Sequence, residues 1–176
     1  FRRIDFMKRV VSIAMALCLC LVCFVGCGNG GKNYEGWEDQ TVDELSFKVP
    51  TTWIDKELDD GGASYYITKH SQDEEPDFLT DVSLSIYIKD EAVDDALESF
   101  TNYESKKIKI AGQSGKHIIV GETELGDEWI FEAEQYVFPI SDEKTCAISI
   151  LNPKDAEIEY NKEEVELFLD SIKINK

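Results

Sequence analysis

A chain of 176 residues, 43% of them hydrophobic, is long enough for one folded domain with a modest core. Its 36 acidic residues outnumber 18 basic ones and set a formal charge of −18. That field disfavours nucleic acid and anionic lipid headgroups as partners, because phosphate recognition relies on Lys and Arg.

The first informative stretch, residues 7–27, reads MKRVVSIAMALCLCLVCFVGC. Lys8 and Arg9 make a cationic start, and the sixteen residues 10–25 carry no charge. A membrane-spanning helix needs roughly 20 apolar residues, a signal-peptide core about 7–15. The stretch is therefore read as a signal peptide over 1–26, with the true start at Met7 and residues 1–6 set aside from the fold. Phe24-Val25-Gly26-Cys27 resembles the lipobox of bacterial lipoproteins of the Gram-positive type, with Phe24 where leucine is usual. The resemblance implies cleavage before Cys27, a diacylglycerol on its sulfur, and residence on the outer face of the cell membrane. Two or more acyl chains hold a protein stably, each buried methylene contributing about 0.8 kcal/mol.

Loss of 1–26 would remove Arg2, Arg3, Lys8, Arg9 and Asp5, leaving 14 basic and 35 acidic residues, a net −21. Cys18, Cys20 and Cys23 would leave as well. With Cys27 lipidated, Cys146 alone remains, so the domain has no intrachain disulfide to form. Residues 27–43 are read as a tether, flexible where Gly28, Asn29, Gly30 and Gly31 cluster. Tyr34 and Trp37 could rest at the bilayer interface or pack on the domain; Glu35, Glu38 and Asp39 beside them favour packing.

The globular domain is expected over 44–176. Leu45, Phe47 and Val49 alternate with polar residues, a strand ended by Pro50 ahead of Trp53. Residues 59–62 (DDGG) predict a turn, 63–68 a second strand, and 70–77 a polar loop. Val82, Leu84, Ile86 and Ile88 recur at period two. Asp90 then offers an N-cap, and Val93, Ala96, Leu97 and Phe100 fall on one helical stripe. A β-meander follows: Ile108 and Ile110, a turn at Gln113-Ser114-Gly115, Ile118 and Val120, a turn over 122–127, and a strand over 128–138. In that strand Trp129, Phe131, Ala133 and Val137 share a face. Cys146, Ile148 and Ile150 form the last clear strand. Asn161 and Glu164 make a capping-box pattern for a closing helix whose buried stripe is Val165, Phe168, Leu169 and Ile172. This order predicts an α+β fold, an antiparallel sheet flanked by helices in an α/β/α sandwich.

Four stretches resemble the PsbP-like fold of the photosystem extrinsic subunit and a Ran-binding import factor. They are FKVPTTW around Pro50 and Trp53, the helix after the third strand, IKIAGQSGKHIIV around Gly112, and the closing Asp170-Ser171-Ile172-Lys173-Ile174. The resemblance covers roughly 44–176 and implies a fold that hosts mostly binding and assembly roles, with no functional residue carried over.

Candidate chemistry is sparse. Gly112-Gln-Ser-Gly115-Lys116 lacks the spacing and the Ser or Thr of a phosphate loop, and Lys116 stands where a nucleophile elbow needs glycine, so a turn is expected. His70 lies among Asp73, Glu74, Glu75 and Asp77 without a zinc or calcium pattern. His117, facing opposite to Ile118 and Val120, is expected at the surface. Cys146 is expected in the core. Glu122, Glu124, Glu128, Glu132 and Glu134 show no marked pair; Glu132 and Glu134 share a face expected to be exposed rather than to form a glycosidase dyad. Trp53, Trp129 and Phe131 are expected in the core. No catalytic, cofactor or metal site is expected. The expected function is a lipid-anchored extracytoplasmic binding or assembly module, held to the membrane through Cys27, with a protein partner or small ligand. The alternative is a small-ligand or cation carrier serving a transporter. An enzyme is a third reading that no residue set supports.

Overall fold

The computed structural model describes residues 32–56, 62–68, 75–98, 103–125, 129–156 and 158–175. The expectations for Cys27, His70, Asp73, Glu74, Phe100, the Trp129 side chain and most of the 59–62 turn lie outside the described residues. Contacts divide the chain into two units, Phe1–Asn33 and Tyr34–Lys176. Every element below belongs to the second unit.

Ten strands and two helices are described. In chain order they are β1 (Trp37–Val42), β2 (Leu45–Pro50), β3 (Ile54–Lys56), β4 (Ala63–Tyr66), β5 (Ser83–Lys89), α1 (Val93–Glu98), β6 (Glu104–Ile110), β7 (Gln113–Leu125), β8 (Trp129–Pro139), β9 (Thr145–Pro153), α2 (Lys162–Ser171) and β10 (Lys173–Ile174). All pairing is antiparallel. A seven-stranded sheet runs β3-β4-β5-β9-β8-β7-β6, and a three-stranded sheet runs β1-β2-β10. The fold is α+β but mostly sheet. Among the described residues, no helix is long and apolar enough to cross a membrane.

The second sheet corrects the domain boundary expected at residue 44. Trp37–Val42 pairs with Leu45–Pro50 along its whole length, so the C-terminal part of the expected tether is folded. Asp43, at φ 47°, turns the chain between these strands. Tyr34 and Trp37 pack on the domain: the Tyr34 hydroxyl donates to the Leu167 carbonyl at 3.2 Å, and the Tyr34 and Trp37 rings meet edge to face. A glycine-rich approach hid the strand, because Trp37 and Val42 alone do not make a period-two pattern.

β9 lies in the middle of the large sheet, with β5 on one side and β8 on the other. Cys146, Ile148 and Ile150 point to one face and meet Leu84, Ile86, Phe138 and the apolar side of β2, where Leu45, Phe47 and Val49 are buried. α2 closes this face with Val165, Phe168 and Ile172; Phe168 lies edge to face on Phe47 and tilted on Trp53. The opposite face carries Ile118, Val137 and Ala147 and is met by Ala96 and Leu97 of α1. The helix starts at Val93, three residues past Asp90, too far for Asp90 to cap it.

The turn expected at Gln113–Gly115 falls two residues earlier. Ile110 pairs with Gln113, leaving Ala111 (φ 51°) and Gly112 (φ 80°) as a two-residue turn of the kind that matches strand twist. Gly115 is instead inside β7. A Cβ there would stand 2.5 Å from the Val137 carbonyl oxygen and 2.8 Å from the Phe138 Cβ. Gly115→Ala should therefore lower stability by about 1–3 kcal/mol through overpacking. Leu97→Asp should cost about 3 kcal/mol or more, because it places a charge between α1 and the sheet. Both are read from urea midpoints; an unchanged midpoint for either variant contradicts the packing described.

Candidate functional site

The site grows from one row of the antiparallel ladder. Glu134 of β8 lies opposite Ile119 on β7 and opposite Ile150 on β9. Ile150 in turn faces Leu84, which faces Tyr65. A carboxylate thus stands in line with the main core. In the next row His117 lies opposite Tyr136, which lies opposite Ile148. Period two puts His117, Ile119, Glu134 and Tyr136 on the α2 face.

There the polar groups satisfy one another. His117 Nε2 donates to Glu134 Oε2 at 2.7 Å, and the Tyr136 hydroxyl donates to the same oxygen at 3.5 Å. The Tyr160 hydroxyl donates to Glu134 Oε1. The His117 and Tyr136 rings are stacked, centroids 4.3 Å apart and 4° from parallel. The His117 and Glu134 side chains keep only 17% and 20% of their exposure. Hydrogen bonds to a charged group contribute roughly 1.5–3 kcal/mol each, enough to hold a carboxylate that is partly removed from water. Burial, and then the neighbouring carboxylate with its hydrogen bond, push the phenols of Tyr136 and Tyr160 above the ordinary tyrosine range. Both are neutral donors throughout physiological pH.

Tyr160 reaches Glu134 because of the α2 cap. Asn161 Oδ1 accepts from the N–H of Glu163 and Glu164, which fixes the entry of the chain, and Tyr160 is the residue just before it. The reciprocal half of the expected capping box is not made. The Glu164 carboxylate accepts instead from Trp53 Nε1 at 3.4 Å.

A cavity of about 280 Å³ adjoins this network. It is lined by Ile119, Gly121, Glu132, Ala133, Glu134, Ile150, Asn152, Tyr160 and Lys162. The β7–β8 register shifts between Ile119 and Gly121, and Gly121 takes φ 74°. This bulge lets both residues line the cavity; bulges recur where a sheet must re-aim its side chains.

The expectations for His117 and Glu134 are corrected. Both are half-buried, because this face of β8 runs from the exposed Glu132 through Glu134 and Tyr136 to the buried Phe138. Glu132 is exposed as expected. Cys146 is buried, and burial pushes its thiol up to about 12, so it is no nucleophile at neutral pH. Trp53 and Phe131 are buried, Phe131 against Phe78 at 5.2 Å between centroids. Tyr160 had a readable signal, an aromatic residue directly before an N-cap, although it was not recognised as a site residue. Among the described residues, no group of three His, Cys, Asp or Glu side chains could hold a metal ion. Glu75 and Asp77 belong to no such group, and Asp77 Oδ1 accepts from the Leu79 N–H instead.

No protein-family model matches this chain, and no curated protein matches it. Its fold is similar to a solved structure from Bacteroides thetaiotaomicron VPI-5482, with a TM-score of 0.51 at 13% sequence identity. The alignment covers 80% of this chain and 48% of the other, so the chain spans about half the length of the structure it matches. The likeness is one of fold.

The raised phenol pKa values carry a direction. Protonated Tyr136 and Tyr160 favour the folded state, a contribution complete below about pH 10 and lost as pH rises through their raised values. Phenolate absorbance should show them ionising after the exposed tyrosines. In Glu134→Gln they should titrate closer to the ordinary value, since the anion is gone while burial remains. Identical titration curves for the two proteins would contradict the network.

Proposed function

We propose that this protein is a lipid-anchored extracytoplasmic binding module of PsbP-like type, whose domain holds a small polar ligand at the cavity beside Glu134. The observation that carries the binding role is that carboxylate, partly buried in a core row, fully hydrogen-bonded, and bordering open space. Buried polar networks are costly to build, and a cavity lined by apolar groups with a few fixed polar ones is the usual form of a small-molecule site. The small-ligand reading is thereby favoured over assembly with a protein partner.

Location rests on residues 7–27. Cleavage before Cys27 would leave the six residues 28–33 between the lipid and Tyr34, where the folded unit begins. Fully extended, six residues reach about 20 Å. The domain would work close to the outer face of the membrane, and its acidity would keep it from lying on anionic headgroups.

Cys27→Ala should abolish incorporation of labelled palmitate and leave the precursor unprocessed in a bacterial host; labelling that persists overturns the anchor. The binding role has a separate test. Small molecules retained by the native protein, read by mass spectrometry after denaturation, should be lost in Ile119→Trp, which fills the cavity. Equal retention by the two proteins places the ligand elsewhere.

A further inference from the structure

The polar groups around the cavity fall into two sets. Glu134 is occupied at both oxygens, by Tyr160 on one side and by His117 and Tyr136 on the other. Glu132, Asn152 and Lys162 take no part, through their side chains, in any hydrogen bond or ion pair among the described residues. These three are the groups available to a ligand.

They are sorted by charge. Glu132 and Asn152 are directly opposite in the β8–β9 ladder, so a carboxylate and an amide stand together at one corner. Lys162 is the first residue of α2. At that helix end Asn161 takes the N–H groups of Glu163 and Glu164, and the Val165 N–H bonds the Asn161 carbonyl. The Lys162 N–H is left at the positive end of the helix, on an exposed residue that is the one cationic side chain among those lining the cavity. Glu164 is turned toward Trp53 and does not cancel this corner. Between the corners lie Ile119 and Ile150, the ladder neighbours of Glu134, as an apolar floor.

We infer that the cavity takes a small zwitterion of the α-amino-acid class, its ammonium toward Glu132 and Asn152 and its carboxylate toward Lys162. The inference rests on the binding role proposed above and narrows it. An amine alone would answer Glu132 and leave Lys162 unmatched. A carboxylate alone would answer Lys162 and meet Glu132 and Glu134. A zwitterion matches both corners and lays its side chain on the apolar floor. The volume of about 280 Å³ lies just below the usual range for ligand sites, which suits a ligand of the size of one amino acid.

The test is calorimetric titration of the full chain in mild detergent with glycine, alanine, valine and leucine. Each amino acid is compared with the amine and the carboxylate that lack one of its charges. At least one amino acid should bind, with both one-charge analogues weaker by about tenfold or more. Lys162→Met and Glu132→Gln should each weaken that binding by about tenfold. Lys89→Met should leave it unchanged, because Lys89 pairs with Glu91 at the end of β5 and does not line the cavity. Circular dichroism and melting temperature establish that each variant is folded. Analogues that bind as tightly as the amino acid overturn the zwitterion and leave the cavity a binding site. Silence from all four amino acids overturns the zwitterion as well, and retention of another small molecule that Ile119→Trp abolishes would still uphold the binding role. Undiminished binding by folded Lys162→Met and Glu132→Gln overturns the assignment of the two corners.

Discussion

The constraint on which this fold depends is the burial of β9 on both faces. Thr145, Cys146, Ala147 and Ile148 are buried in succession, and Ile150 follows. A strand in that position cannot alternate between core and solvent, so each side of the sheet needs a covering layer. On one side the layer is α1, which contributes little more than Ala96 and Leu97. On the other it is α2 together with the three-stranded sheet, which bring Leu45, Phe47, Val49, Val165 and Phe168. The layers are unequal, and the larger core lies where the aromatic residues gather: Trp53 contacts Trp37, Tyr65 and Phe168 in turn.

Strands with one strict parity were legible from the chain alone. Leu45, Phe47 and Val49, and likewise Leu84 and Ile86, showed the face they bury because the pattern is clean. α2 was legible from its cap and stripe. β1 was not: its residues WEDQTV are mostly exposed or half-buried, and only pairing with β2 makes them a strand. The hairpin turn was misplaced for a related reason. Glycine at 115 looks like a turn residue, but it serves the close approach of β7 to β8, whereas Ala111 accepts a left-handed conformation that costs an L-residue roughly 1–2 kcal/mol. Turn chemistry and packing chemistry use the same amino acid, and sequence spacing does not separate them.

The candidate site escaped sequence reading because a charged residue on a strand is ordinarily assigned to the solvent face. β8 reverses that assignment. Its odd positions Phe131, Ala133 and Val137 are buried, which makes the even positions look exposed, yet Tyr136 and Phe138 carry the even face into the larger core. Glu134 lies two residues before Tyr136 and shares its side. Both parities being apolar at the C-terminal end of a strand is the sequence signature of two covered faces. Applied to β8, it would have drawn Glu134 inward and His117 with it, since His117 is the ladder partner of Tyr136.

Three local features then make the site from that inward carboxylate. The bulge between Ile119 and Gly121 adds a residue to β7 and opens space that a regular ladder would fill. The Asn161 cap sets where the chain enters α2 and so places the Tyr160 hydroxyl on Glu134 Oε1. The His117–Tyr136 stack positions Nε2 on the other oxygen. Because Glu134 is held from both sides, it is a fixed wall of the cavity, and the side chains left uncommitted around it are Glu132, Asn152 and Lys162. A domain with this much negative charge would attract any cation to its surface, screened within about 10 Å at ordinary ionic strength. Under the proposed binding role, selectivity would come from the place where the charge is not uniform, and Lys162 at the head of α2 is the cationic residue among those that line this cavity.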